Sequence, residues 1–266
     1  MRLSVSIALK ALIRLFERTH LVYPARPLYS HFKLNIHRVG MSKALRAPTI
    51  ADTVCDLGFI AIPSWRPQVS TLEIARSLGS VAELPSVRSV QTLAPQNVEQ
   101  ASHGTYSGNF GLDRFPLHTD LAHWSAPPRF LLLRSLVGHP QVVTTLVDSS
   151  HVAVEFDTSA LRRVLWLPRR PVGLRRTLLR MFDAPGGVQR FRWDRLFLRP
   201  ATSESKSVIT AVNELLHRVP PRTLTLANAG DTLILDNWRY LHGRSRVPMA
   251  ALSRRIQRVY LHTLLQ

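Results

Sequence analysis

Short apolar, β-branched runs, each closed within a few residues by turn chemistry, constrain this 266-residue chain most. Leu57 to Ile62, Phe130 to Leu136, Val142 to Val147, Thr223 to Ala227, Thr232 to Leu235 and Ile256 to Thr263 have the length and composition of strands. Asn228-Ala229-Gly230-Asp231 separates two of them as a turn. Helices are fewer. Ser70-Thr71-Leu72-Glu73 is a capping box opening a short helix that Gly79 ends, and Val208, Val212, Leu215, Leu216 and Val219 share one helical face. Many short strands around a few helices predict an α+β, mainly β fold of the barrel or sandwich type. No glycine-rich phosphate loop and no internal repeat occurs.

With 45% hydrophobic residues the chain has enough apolar side chains for a large core. No run reaches the roughly 18 to 20 uncharged apolar residues of a membrane span, because Lys10, Arg14 and Arg18 interrupt the most apolar early stretch. A soluble, cytoplasmic protein is therefore expected, although the basic amphipathic start over residues 1–46 also fits an address or a membrane-surface helix. Cys55 stands alone, which excludes an internal disulfide and a cysteine-rich zinc site and leaves it as a buried spectator thiol.

The net charge of +18 is concentrated in two places. Residues 1–47 carry nine Lys and Arg against Glu17, and residues 160–200 carry eleven Arg against Asp183 and Asp194. The rest is close to neutral, so basicity says little about chemistry at the centre of the chain. The expected organisation is a basic extension over 1–46 and a domain over 47–266, with an Arg-rich insertion at about 160–200 covering one rim. That insertion reads either as solvated surface or as a surface for an acidic substrate or partner.

His118-Thr119-Asp120 carries the first chemical signal. On a strand its His and Asp share a face, so both reach one ion. His242, in Asp236-Asn237-Trp238-Arg239-Tyr240-Leu241-His242-Gly243-Arg244 after an apolar strand, supplies a third ligand. Two imidazoles and a carboxylate on one face of an octahedral iron(II) leave three positions for other ligands.

These residues resemble the family of taurine dioxygenase, clavaminate synthase, the amino-acid β-hydroxylases and γ-butyrobetaine hydroxylase. The resemblance runs from about Leu57 to Leu264 and rests on Phe115-Pro116-Leu117-His118-Thr119-Asp120, Ala126-Pro127-Pro128-Arg129-Phe130, Thr145-Leu146-Val147-Asp148, Asp236 to Arg244, and Arg254-Arg255-Ile256-Gln257-Arg258. It implies a double-stranded β-helix, or jelly-roll, with flanking helices, and an iron(II) site of His118, Asp120 and His242. It also implies 2-oxoglutarate and dioxygen as co-substrates, and hydroxylation of a small molecule with release of succinate and carbon dioxide. Arg254 then takes the distal carboxylate of 2-oxoglutarate, Thr145 donates to that carboxylate, and Arg258 contacts the oxoacid or an acidic substrate group. Arg114 stands where the family often has asparagine, which favours an acidic substrate. Asp236-Asn237 is expected to form the turn presenting His242. Trp124 and Trp238 are expected to pack, and His103, His123, His139 and His262 fit no ligand spacing. The rival reading is a non-catalytic, basic nucleic-acid or anionic-surface binding protein on an inherited oxygenase fold, with Arg190-Phe191-Arg192-Trp193-Asp194-Arg195-Leu196-Phe197 as its aromatic-interleaved stripe. A zinc hydrolase using the same three ligands ranks below it, because it gives Arg254 no role.

Overall fold

A computed structural model describes residues 48–170 and 177–265. The basic amphipathic extension expected over 1–46 lies outside the described residues. Fifteen strands occur within them. They are β1 (Phe59–Ile62), β2 (Gly79–Val81), β3 (Gln91–Leu93), β4 (Phe115–His118), β5 (Phe130–Val137), β6 (Val143–Asp148), β7 (Leu165–Pro168), β8 (Leu179–Arg180), β9 (Phe182–Asp183), β10 (Arg190–Phe191), β11 (Leu198–Pro200), β12 (Arg222–Thr225), β13 (Thr232–Asp236), β14 (Tyr240–Arg244) and β15 (Arg255–Leu264). The fold is mainly β, as expected.

Two antiparallel sheets hold the centre. The larger runs β1-β13-β5-β15-β2, with β3 also paired to β15, and the smaller runs β12-β6-β14-β4. β5 is central in the larger sheet and buried from Phe130 to Ser135, which explains its continuous apolar run. Leu131, Leu133, Leu233, Leu235 and Ile256 of the larger sheet pack against Leu146, Leu224 and Tyr240 of the smaller one. Each fully buried leucine there contributes about 1.5–3 kcal/mol. Phe130, Leu132, Ile234 and Val259 point the other way, onto Val54, Ile74, Ala75 and Leu78 of two helices.

Those helices are set by their ends. Ser70 and Glu73 form the expected capping box of Thr71–Leu78. Thr49 and Asp52 form a second box, opening a helix Ile50–Leu57 that Gly58 ends at φ 82°. The strand expected from Leu57 therefore starts at Phe59, because Leu57 completes this helix. Cys55 lies on its outer side and is exposed, contrary to the expected burial.

The outer face of the smaller sheet is covered by the long helix Ser203–Arg218 and by the Arg-rich segment. Strands β11-β7-β8 form a small sheet here and β9-β10 a ribbon. Trp166, Met181, Phe191, Trp193 and Leu198 are almost completely buried with Ile209 and Val212 of the helix. The segment is thus half core. Arg190 and Arg192 are buried with it, which corrects the view of 160–200 as only a solvated basic surface. Among the described residues no helix is long and apolar enough to cross a membrane.

Candidate active site

His118 and His242 are cross-strand partners in the β4–β14 pair, which brings their ring centroids to 4.4 Å. Gly243 follows, and a Cβ there would lie 2.8 Å from the Phe115 carbonyl oxygen and 2.9 Å from Thr145 Oγ1. Only glycine lets β14 approach β4 so closely without displacing backbone. Strand β4 stops at His118, so Asp120 reaches the histidines from a turn and not by strand alternation. Leu121, at φ 56°, holds that turn in a left-handed conformation a leucine rarely adopts. Asn237 secures it. Its Oδ1 accepts from the Asp120 N–H at 2.7 Å and its Nδ2 donates to the Asp120 and Pro128 carbonyls at 3.0 and 3.2 Å. The Asp236-Asn237 turn thus presents His242 as expected, and clamps the other ligand as well.

His118, Asp120 and His242 offer ligand atoms that all lie within 4.8 Å of one another, and all three are buried. Asp120 Oδ1 faces the histidines, 3.3 Å from His118 Nε2 and 3.7 Å from His242 Nε2. His118 Nδ1 lies 2.9 Å from the Pro116 carbonyl oxygen, which places its proton there and leaves Nε2 free for a metal. Burial pushes His242 down to about 3, so it is neutral at working pH and available as a ligand. Burial works against ionisation of Asp120, yet Arg258 and the two histidines hold it well below the usual carboxylate range. Asp120 Oδ2 accepts from Arg258 Nη1 and the Tyr260 hydroxyl, each at 3.0 Å. One carboxylate oxygen is therefore committed to protein and the other to the histidines. The donor set and its geometry fit a divalent metal of the two-histidine, one-carboxylate class.

A cavity of about 450 Å³ opens beside this group, between the two sheets. Arg254 lines it at 8% exposure, with Nε unpartnered and no ion pair among the described residues. Burial alone lowers its pKa to about 10. A buried guanidinium without a partner is costly, and an anion in the cavity would relieve it. Arg258 is used differently from the expected oxoacid or substrate contact. Its guanidinium is engaged by Asp120 and by Gln91 Oε1 on β3, so its charge serves the carboxylate ligand. Thr145, expected to donate to the oxoacid, is not on the cavity lining. It pairs with Gly243 on the strand face turned from the cavity, its hydroxyl unpartnered, whereas Thr144 pairs with Arg244 and lines the cavity. The two threonines are adjacent, and one residue along a strand is the opposite face.

The remaining candidates fall into place by burial. Arg114 is exposed and outside the cavity lining, so it puts no cation beside the metal group. Trp238 packs, its indole N–H donating to the Pro127 carbonyl at 2.9 Å. His103 and His262 are exposed, but His123 lines the cavity. Of the Arg190 to Phe197 stripe expected to bind nucleic acid, Arg190 to Asp194 are buried and only Arg195 is exposed, so its basic and aromatic side chains form no continuous surface. Arg192 instead donates to the carbonyls of Ala122 and Trp124 at 2.7 and 2.6 Å and of Ser125 and Arg180 at 3.3 Å. Tyr106, which the sequence does not mark, also lines the cavity, as do Asp194 and Phe197, which it marks only as part of the expected nucleic-acid stripe. Tyr106 stacks on the His118 ring at 4.1 Å. Only the fold shows that they face the metal group.

No model of a known protein family matches the chain, and no curated protein sequence matches it. Solved structures do. Asparagine oxygenase superposes with a TM-score of 0.61 at 19% identity, over 80% of this chain and 76% of that one. PvcB of Pseudomonas aeruginosa gives 0.58 at 18% identity, over 80% and 79%. Non-heme iron oxygenase OrfP, solved with iron and α-ketoglutaric acid, gives 0.51 at 19%, over 69% and 59%. The chain thus has the fold of iron- and 2-oxoglutarate-dependent oxygenases.

Proposed function

We propose that the chain is an iron(II)- and 2-oxoglutarate-dependent oxygenase, with residues 47–266 as its double-stranded β-helix domain and 1–46 as an extension. The observation that carries this is the pairing, in one cavity, of a three-ligand metal group with the buried, unpartnered Arg254. A hydrolytic metal site has no use for such an arginine, and an oxoacid co-substrate does. Support comes from the shared fold and from asparagine oxygenase having been solved with Fe(II), 3-hydroxyasparagine and succinate, which favours a small amino-acid-like substrate here.

His118, Asp120 and His242 would hold the metal, with Arg258 and Tyr260 keeping Asp120 to one oxygen and Pro116 fixing His118. Bound iron(II) would supply activation of dioxygen, coupled to oxidative decarboxylation of 2-oxoglutarate, one oxygen atom entering succinate and the other the substrate. Arg254 receives the distal carboxylate, and Thr144 is placed to donate to it.

The test is succinate formation from 2-oxoglutarate with iron(II) and ascorbate under air. Iron-dependent succinate is expected from the wild type, falling by about 100-fold or more in His118→Ala and Arg254→Ala through loss of a ligand and of a bidentate ion pair. Absence of succinate together with absence of a visible charge-transfer band on anaerobic addition of iron(II) and 2-oxoglutarate would overturn the reading.

A further inference from the structure

We propose that Asp194 is the residue that receives a positively charged amino group of the substrate, so that the pocket selects an unblocked amine; this rests on the oxygenase reading above. Asp194 is 1% exposed and lines the same cavity as the metal group and Arg254. Its Oδ1 accepts from the backbone N–H groups of Leu196 and Phe197 at 2.8 and 2.9 Å, which fixes the direction of the carboxylate.

No Lys or Arg among the described residues forms an ion pair with it, although it sits in the segment richest in arginine. Arg192, two positions earlier, spends its donors on backbone carbonyls, and Arg195, one position later, is exposed. A buried carboxylate without a cation is costly, and it is retained at low cost only where a ligand brings the cation. The cations that do line the cavity are otherwise assigned. Arg258 is held by Asp120 and Gln91, Arg244 by the Gly111 and Asp113 carbonyls, and Arg254 faces the co-substrate.

Two further polar groups on the lining point to a polar ligand. The Tyr106 hydroxyl is buried beside the Asp194 carboxylate, on a ring stacked against His118. His123 Nε2 accepts from the Trp124 indole N–H at 3.1 Å, which puts the His123 proton on Nδ1, and that atom lacks a partner. An amine-bearing substrate with hydrogen-bonding capacity beside the amine would meet the Asp194–Tyr106 pair and His123 Nδ1 together.

The experiment uses the purified full chain, anaerobic, with iron(II) and 2-oxoglutarate. The charge-transfer band is titrated with each of the twenty free L-amino acids and, separately, with their Nα-acetyl derivatives. The band forms, at least one free amino acid shifts it, and the acetylated form binds about 10- to 100-fold more weakly, the value of one buried charge-assisted contact. Asp194→Asn keeps an acceptor for both backbone N–H groups, and lowers affinity for the free amino acid by a similar factor. A band that responds to no free amino acid, or equally to free and acetylated forms, or to the free form equally in Asp194→Asn, overturns the proposal. The acetyl comparison needs no variant, so a poorly folding Asp194→Asn protein would not rescue it. A band that never forms is the failure of the oxygenase reading itself, with which this inference falls.

Discussion

The β4–β14 edge and the Arg-rich wall of residues 160–200 face one cavity, and they handle buried charge in opposite ways. On the edge, the metal-group side chains meet their counterparts within the protein: Asp120 has Arg258, Tyr260 and two imidazoles, and His118 has the Pro116 carbonyl. On the wall, the two buried arginines act as struts. Arg192 ties four backbone carbonyls together, and Arg190 makes a two-point ion pair with Asp183 at 2.8 and 2.6 Å. The wall's contribution to the cavity lining is Asp194 and Phe197. A segment with eleven arginines therefore presents a negative charge to the site, and its composition predicts the wrong sign for the field there.

The comparison breaks most visibly if Arg192 is not a strut. Arg192→Met keeps the length and apolar body of the side chain and leaves the Ala122, Trp124, Ser125 and Arg180 carbonyls without their donor. Unsatisfied buried acceptors and a lost charge-assisted network predict a destabilisation of about 3–5 kcal/mol by urea unfolding. Were the segment a solvated surface, the change would stay within about 0.5 kcal/mol.

Acid pH sharpens the same contrast through His123, which lies between the two regions. Burial pushes it down to about 4 from 6.5, with the Asp120 charge opposing and the Arg192 cation adding. Between pH 6.5 and 4 the unfolded chain binds a proton that the native state refuses, so stability falls as pH drops through that window and is unaffected by this group above it. The loss amounts to about 2–3 kcal/mol. Urea midpoints at pH 7.5 and 4.5 should show the gap between wild type and His123→Gln narrowing by that amount on acidification. A gap that stays constant would place His123 in solvent, with the exposed His103.

How far the sequence could anticipate this follows from the range of each signal. Ligand spacing and the Ser70–Glu73 box are local patterns, and both stand in the structure. The Thr49–Asp52 box is the same kind of local pattern, but the apolar run from Leu57 carries a competing strand signal across the helix end. Thr144 and Thr145 differ only in strand parity, which their own residue type cannot settle and the pairing with β14 does. Arg190 and Arg192 alternate with Phe191 and Trp193, and all four are buried because backbone carbonyls and Asp183, distant in space until folding, satisfy the guanidinium groups. The field at Asp194 depends on where every nearby arginine points, which composition does not encode.

The smallest effect concerns the paired side of the comparison. Tyr260→Phe removes one of the two donors to Asp120 Oδ2 and keeps the ring in the core between the sheets. Arg258 remains, so the carboxylate stays ionised and the ligand set is intact, but Oδ2 is freer to turn toward a metal. Loss of such a supporting hydrogen bond predicts about tenfold weaker iron(II) binding, near 1.4 kcal/mol, with little change in urea stability of the metal-free protein. Competition with a chelator of known affinity measures it. Unchanged affinity would mean that Arg258 alone fixes Asp120, and the edge would then rest on its charge pairing with Tyr260 serving only as packing.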